Sequence, residues 1–195
     1  MQLALERRAL RTLVALVEIS SSDALLDVGT GTGAFLRELA CAGVRPARAI
    51  GVDPSDRMLA RARAVVPAGT ELRRADARAL PLPDASFDVG TAAYLLHLLT
   101  ADVRAEVLRE LGRVLVPGGR LGVVTVAPPT PGLLPRLVSA PLRAAAARSS
   151  GLLAGLRPLD PRDDLGRAGF DVEAVRRIAA GYPSLCVRAR RRRRS

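Results

Sequence analysis

The sequence predicts an α/β fold, a doubly wound and mainly parallel sheet ending in an antiparallel C-terminal hairpin, and three observations carry that prediction. From Asp23 onward short apolar runs alternate with stretches of helical periodicity, the pattern of a parallel sheet covered on both faces. The apolar run Leu25-Leu26-Asp27-Val28 passes directly into a glycine-rich turn, Gly29-Thr30-Gly31-Thr32-Gly33, and then into a helix. Near the C-terminus, two apolar runs flank the turn signal Gly181-Tyr182-Pro183, as in a hairpin.

The elements follow in order. Leu3, Leu10, Val14 and Val17 recur at helical spacing with Glu6, Arg7, Arg8 and Arg11 on other faces, which predicts an amphipathic first helix. Glu18 interrupts its short apolar run, and no small-residue cleavage site follows, unlike a signal peptide. Strands are expected at Ala24–Val28, Ala49–Val52, Glu71–Arg74, Phe87–Thr91 and Arg120–Val126, with helices at Ala34–Ala42, Asp56–Val65 and Ala101–Val114. Pro117-Gly118-Gly119 is expected to stop the last helix. Pro128, Pro129, Pro131, Pro135 and Pro141 crowd an Ala/Leu/Arg-rich segment that runs to about Pro161, too long for an ordinary connection, and residues 128–161 are read as a cap or lid inserted into a single domain of residues 1–187. Val172–Ala180 and Ser184–Val187 form the hairpin, and residues 188–195 are read as a disordered basic tail.

Composition narrows the function classes. All 30 basic residues of this 195-residue chain are arginine, and they give a formal charge of +11. Six of them fall in the last eight residues, and no acidic residue lies between Glu110 and Asp160. With 49% hydrophobic residues the chain can bury a real core, which excludes intrinsic disorder. Only 3% are aromatic, which disfavours a nucleic-acid binder working by base stacking. The two cysteines, Cys41 and Cys186, form no C-x-x-C pair and imply neither a disulfide framework nor a metal site, as expected of a cytoplasmic protein. No run reaches the ~18 apolar residues of a membrane span.

The glycine-rich turn is the strongest local signal. Glycine is required where the backbone turns tightly with positive φ or where a ligand approaches closer than a Cβ allows. Read as G-x-G-x-x-A, with Asp53 lying 24 residues after Gly29, the turn also fits the dinucleotide fingerprint, so an NAD(P)-binding oxidoreductase is one alternative. A non-catalytic cofactor-binding protein of the same fold is another. Asp27 argues for a different ligand, because a carboxylate beside a pyrophosphate is repelled whereas a cationic ligand favours it.

At this point the chain resembles the class I S-adenosylmethionine-dependent methyltransferases, and in particular the ubiquinone/menaquinone biosynthesis branch, over about residues 23–126. Further motifs of that family occur in order: Gly51-Val52-Asp53-Pro54-Ser55-Asp56-Arg57-Met58, Arg74-Ala75-Asp76-Ala77 leading to Leu80-Pro81 and Phe87-Asp88, and Arg113-Val114-Leu115-Val116-Pro117-Gly118-Gly119. The resemblance implies a Rossmann-like sheet of seven strands and S-adenosylmethionine as cofactor. It implies Asp27, Gly29, Thr30, Gly31 and Gly33 around the methionine end, and Asp53 and Pro54 at the ribose. Met58, Asp76 and Ala77 would meet the adenine, with Ala92 on the strand end Thr91-Ala92-Ala93-Tyr94 beneath the methyl group.

The resemblance further implies methyl transfer to a small molecule. A general base is needed only where the acceptor must lose a proton; His97, the sole histidine, and Tyr94 are the candidates, each also readable as packing. Only one short helix precedes the glycine motif, so the acid-free, apolar 128–161 segment is expected to cover a lipophilic acceptor and to lean on an anionic membrane surface. A nucleic-acid partner through Arg190–Arg194 is disfavoured against a solvated arginine run.

Overall fold

The computed structural model describes residues 2–129, 158–179 and 183–193. Their elements run α1 (Gln2–Val17), β1 (Ala24–Val28), α2 (Ala34–Cys41), β2 (Arg48–Asp53), α3 (Asp56–Arg63), β3 (Glu71–Arg74) and β4 (Phe87–Ala93). A 3₁₀ turn (Leu96–Leu98) follows, then α4 (Ala101–Val114), β5 (Leu115–Val126), α5 (Arg162–Arg167), β6 (Phe170–Ile178) and β7 (Ser184–Arg191). The strands form one seven-stranded sheet in the order β3-β2-β1-β4-β5-β7-β6. β1 to β5 pair in parallel, whereas β7 runs antiparallel to both β5 and β6.

Both faces of the sheet are covered, so the central strands are apolar on both sides. Leu26, Val28, Ile50 and Val52 pack on one face with Leu96, Val107, Leu108 and Phe170. On the other, Leu25, Val89 and Val124 meet Leu10, Leu13 and Val17 of α1 and Phe35 and Leu39 of α2. Helix α1 seats closely over β5: a Cβ on Gly122 would lie 2.6 Å from Val17 Cγ2. Its other anchor is Glu38 of α2, buried at 1% exposure, which accepts hydrogen bonds from Arg7 Nε at 2.9 Å and Arg11 Nε at 3.0 Å.

Two expectations are corrected. Pro117-Gly118-Gly119 does not separate helix from strand; β5 already begins at Leu115, and the register with β4 shifts between Phe87↔Leu115 and Val89↔Arg120. Gly118, at φ 84°, lets the chain bulge there without leaving the sheet. Within the expected tail, Arg188–Arg191 are not disordered but complete β7, and residues 194–195 lie outside the described residues. Opposite charges and carbonyls hold these side chains: Arg190 binds Glu173, Arg191 binds the Leu115 carbonyl, and Arg192 Nε lies 2.7 Å from Asp171. The cap expected at 128–161 falls largely outside the described residues. At its far end the Leu159 amide donates to the Val126 carbonyl at 3.0 Å.

Candidate functional site

Strand order locates the site. The chain winds outward in opposite directions from β1 and β4, and in an open α/β sheet the crevice beyond the carboxyl ends at such a reversal is where ligands bind. The glycine-rich turn leaves β1 there. Gly29 and Thr30 both donate backbone hydrogen bonds to the Val52 carbonyl at 2.9 Å, tying the turn to the end of β2. Gly29 and Gly31 are left-handed, at φ 69° and 55°, a conformation costly for residues bearing a Cβ. Asp53, at the end of β2 and 8% exposed, shapes the same turn: its Oδ2 accepts from the Gly31 amide at 2.9 Å and its Oδ1 from the Ser55 amide at 2.9 Å.

Asp27 lies beneath this turn. It is 1% exposed, and its oxygens accept from Thr30 Oγ1 and Thr91 Oγ1, each at 2.7 Å. Burial pushes its carboxyl up to about 6, against the opposing pull of the two threonine hydroxyls. Thr91 belongs to the strand end expected beneath the methyl group, but its bond to Asp27 was not expected. It meets Asp27 because β1 and β4 are neighbours in the register Asp27↔Thr91, which only strand order reveals.

Beside the turn is a cavity of about 150 Å³ whose walls include Gly29, Pro54, Asp76, Ala77, Leu95 and Leu99. Its lining is almost wholly apolar apart from Asp76, a carboxylate at the mouth that Arg78 holds below the usual range through hydrogen bonds as short as 2.6 Å. Leu95 closes the wall opposite, so near Gly29 that a Cβ there would lie 3.1 Å from its methyl carbons. A larger open groove of about 960 Å³ between α1 and β6 contains none of the strand-end acids. Three of its arginines are already committed, Arg7 and Arg11 to Glu38 and Arg188 to Glu18.

The fold thus gathers Gly29, Gly31, Asp53, Pro54, Asp76 and Ala77 at one rim. The structure places four other expected residues as follows. A Cβ on Gly33 would lie 2.7 Å from Val66 Cγ1, so this glycine allows the start of α2 to pack against the end of α3. Met58 is half-buried in the first turn of α3, Ala92 is fully buried in the core, and Thr30 is 6% exposed with its hydroxyl spent on Asp27. Leu95 and Leu99 were missed because the apolar run Leu95–Leu99 reads as plain packing; Arg78, two residues from Asp76, was legible as its ion partner.

Tyr94 and His97 follow β4 on the same rim. Tyr94 takes a left-handed φ of 57°, and its hydroxyl shares a 2.7 Å hydrogen bond with Ser184 Oγ at the start of β7. The His97 ring meets that of Tyr94 edge-on, with centroids 6.1 Å apart. Burial pushes the imidazole down to about 4, which keeps His97 neutral near pH 7 and makes it a weaker proton acceptor than its ordinary pKa suggested.

The family described as "Methyltransferase domain" matches residues 25–119. The demethylmenaquinone methyltransferase of Thermus thermophilus is 43% identical over 114 residues, covering 55% of this chain and 49% of the relative. That of Roseiflexus castenholzii is 40% identical over 141 residues, 69% of this chain and 56% of the relative. The chain therefore spans about half the length of these curated relatives. Among solved structures, an S-adenosylmethionine-dependent methyltransferase from Mesorhizobium loti superposes with a TM-score of 0.65 at 28% identity, covering 96% of this chain and 98% of that one.

Proposed function

We propose that this chain, whose residues 25–119 match the family described as "Methyltransferase domain", transfers a methyl group from S-adenosylmethionine to a small, lipophilic acceptor built on a hydroxylated ring. The observation that carries the reading is the pairing of Asp53 with the Gly31 amide beside an apolar cavity that ends at Asp76.

The residues fit this cofactor. Each Asp53 oxygen receives one amide and keeps a second lone pair, enough for two ribose hydroxyls. The walls at Pro54, Ala77, Leu95 and Leu99 suit a flat base, and Asp76 offers its exocyclic amine an acceptor once Arg78 shares the carboxylate. Asp27, enclosed with its two threonines, acts through the turn it supports and through its charge. When bound, the cofactor supplies a methyl group on a sulfonium, open to direct displacement by the acceptor. The task of this chain is then alignment and exclusion of water, for which Leu95 and Leu99 form an apolar wall and Tyr94, pinned to Ser184, a fixed one.

The relatives named for demethylmenaquinone support a ring-bearing, lipophilic acceptor here. Free Cys41 and Cys186 suit a reducing, cytoplasmic setting, and no helix among the described residues is long and apolar enough to cross a membrane. With Arg188–Arg192 spent on acids and carbonyls, nucleic acid is not favoured as a partner; contact with anionic membranes rests on segment 128–161 and is tested by co-sedimentation with anionic liposomes.

Isothermal titration with S-adenosylhomocysteine and, separately, with NAD tests the cofactor reading. Binding of S-adenosylhomocysteine alone is expected. Binding of NAD alone overturns it in favour of an oxidoreductase.

A further inference from the structure

The turn after β4 carries a buried imidazole whose Nδ1 is left unpaired among the described residues. It belongs to His97, which is 5% exposed. Buried ring nitrogens are ordinarily paired, because an unmet one keeps the full cost of leaving water. The surroundings identify what is missing. Leu96 and Leu99 flank the ring in sequence and are themselves packed into the core, Tyr94 covers one edge, and the neighbouring Leu95 lies on the glycine turn of the cofactor site. Tyr94 is fixed from the far side by Ser184, so the ring sits between the cofactor turn and the start of β7.

We propose that the imidazole of His97 is the hydrogen-bond partner of a hydroxyl on the methyl acceptor and orients a neutral, hydroxylated ring against the cofactor site. This rests on the methyltransferase reading above. Among the described residues the ring stands beside apolar side chains, Leu96 and Leu99, and burial is the cause that lowers its pKa. A neutral phenol or quinol enters such apolar surroundings at far lower cost than a carboxylated or phosphorylated acceptor. His97 is on this view a positioning residue for the acceptor and not a base.

Because His97 is the only histidine of the chain, ¹⁵N-imidazole labelling reads it alone. The test titrates 1,4-dihydroxynaphthalene, and separately its dimethyl ether, anaerobically into labelled protein saturated with S-adenosylhomocysteine. The diol is expected to displace the ring-nitrogen resonances and the ether to leave them in place. Equal displacement by both, or none by the diol, overturns the proposal. Failure of S-adenosylhomocysteine to bind at the outset instead overturns the cofactor reading, so the two failures are distinct. In the same saturated protein, His97→Leu should weaken diol binding about five- to tenfold with S-adenosylhomocysteine affinity unchanged, and His97→Asn should recover part of the loss. An equal loss of both ligands in both variants assigns His97 to packing alone.

Discussion

Asp53 Oδ2 accepts a 2.9 Å hydrogen bond from the backbone amide of Gly31, 22 residues earlier in the chain. That bond joins the ends of β1 and β2 and holds the glycine turn in the shape that faces the cavity. Asp53→Ala removes the acceptor for two half-buried amides at once, and the expected stability loss is about 1–3 kcal/mol. The same variant loses the proposed ribose contacts, so S-adenosylhomocysteine affinity should fall on the order of a hundredfold or more in calorimetric titration. An affinity within twofold of the parent would remove Asp53 from the site.

Gly31 and Gly33 separate ligand space from packing. Both are left-handed, at φ 55° and 76°, so alanine costs about 1–2 kcal/mol at either. A Cβ on Gly31 meets only the Gly29 carbonyl at 3.8 Å, whereas one on Gly33 collides with Val66. Gly33→Ala should therefore show the larger drop in melting temperature and Gly31→Ala the larger drop in S-adenosylhomocysteine affinity. The reverse order would mean that the open face of Gly31 is not ligand space.

Asp27 carries a pH signature of unusual sign. Burial raises its carboxyl from 3.8 to about 6, so between those values the folded chain keeps a proton that the unfolded chain has lost. Its contribution to stability is thus greatest below about pH 4, declines as pH rises to about 6 and is level above that, a change of about 3 kcal/mol. Asp27→Asn should cancel this decline, and the difference in melting temperature between variant and parent should shift in favour of the variant from pH 4 to pH 6.5. A difference that is constant with pH would contradict the burial of an ionisable group there.

Glu38 anchors the first helix. Burial alone would raise its carboxyl, but Arg7, Arg11 and Arg37 outweigh burial and hold it below the usual range. Glu38→Ala strands three guanidiniums and should cost about 2–4 kcal/mol, with faster amide exchange concentrated in α1. Unchanged protection of α1 would show that its apolar seat on β5 suffices.

The C-terminal arginines test the corrected reading of the chain end. Truncation after Val187 removes half of β7, including the pairs Gly122↔Arg188, Leu121↔Ala189 and Arg120↔Arg190, and should destabilise the protein by on the order of 3 kcal/mol or more. An unchanged melting temperature would restore the disordered tail.

Much of this architecture is legible in the residues themselves. β1 at Ala24–Val28, β3 at Glu71–Arg74 and α4 at Ala101–Val114 coincide with their expected bounds, because apolar runs, turn residues and helical spacing act locally. Asp27, Asp53 and Asp76 were also legible, since an acid at the end of each of three successive strands is a pattern within the chain. What was not legible depends on strand order or burial: Thr91 reaches Asp27 and Ser184 reaches Tyr94 only across the assembled sheet, and the low pKa of His97 follows from enclosure. The arginine run misled for a related reason, because net charge does not reveal that Glu173, Asp171 and the Leu115 carbonyl lie opposite it.

A crystal structure with S-adenosylhomocysteine bound is the most direct test. Ribose hydroxyls within hydrogen-bonding distance of Asp53, with adenine between Ala77 and Leu99, are the expected result. A ligand seated elsewhere, or one that leaves Asp53 bonded only to the Gly31 and Ser55 amides, would contradict the assignment of this site.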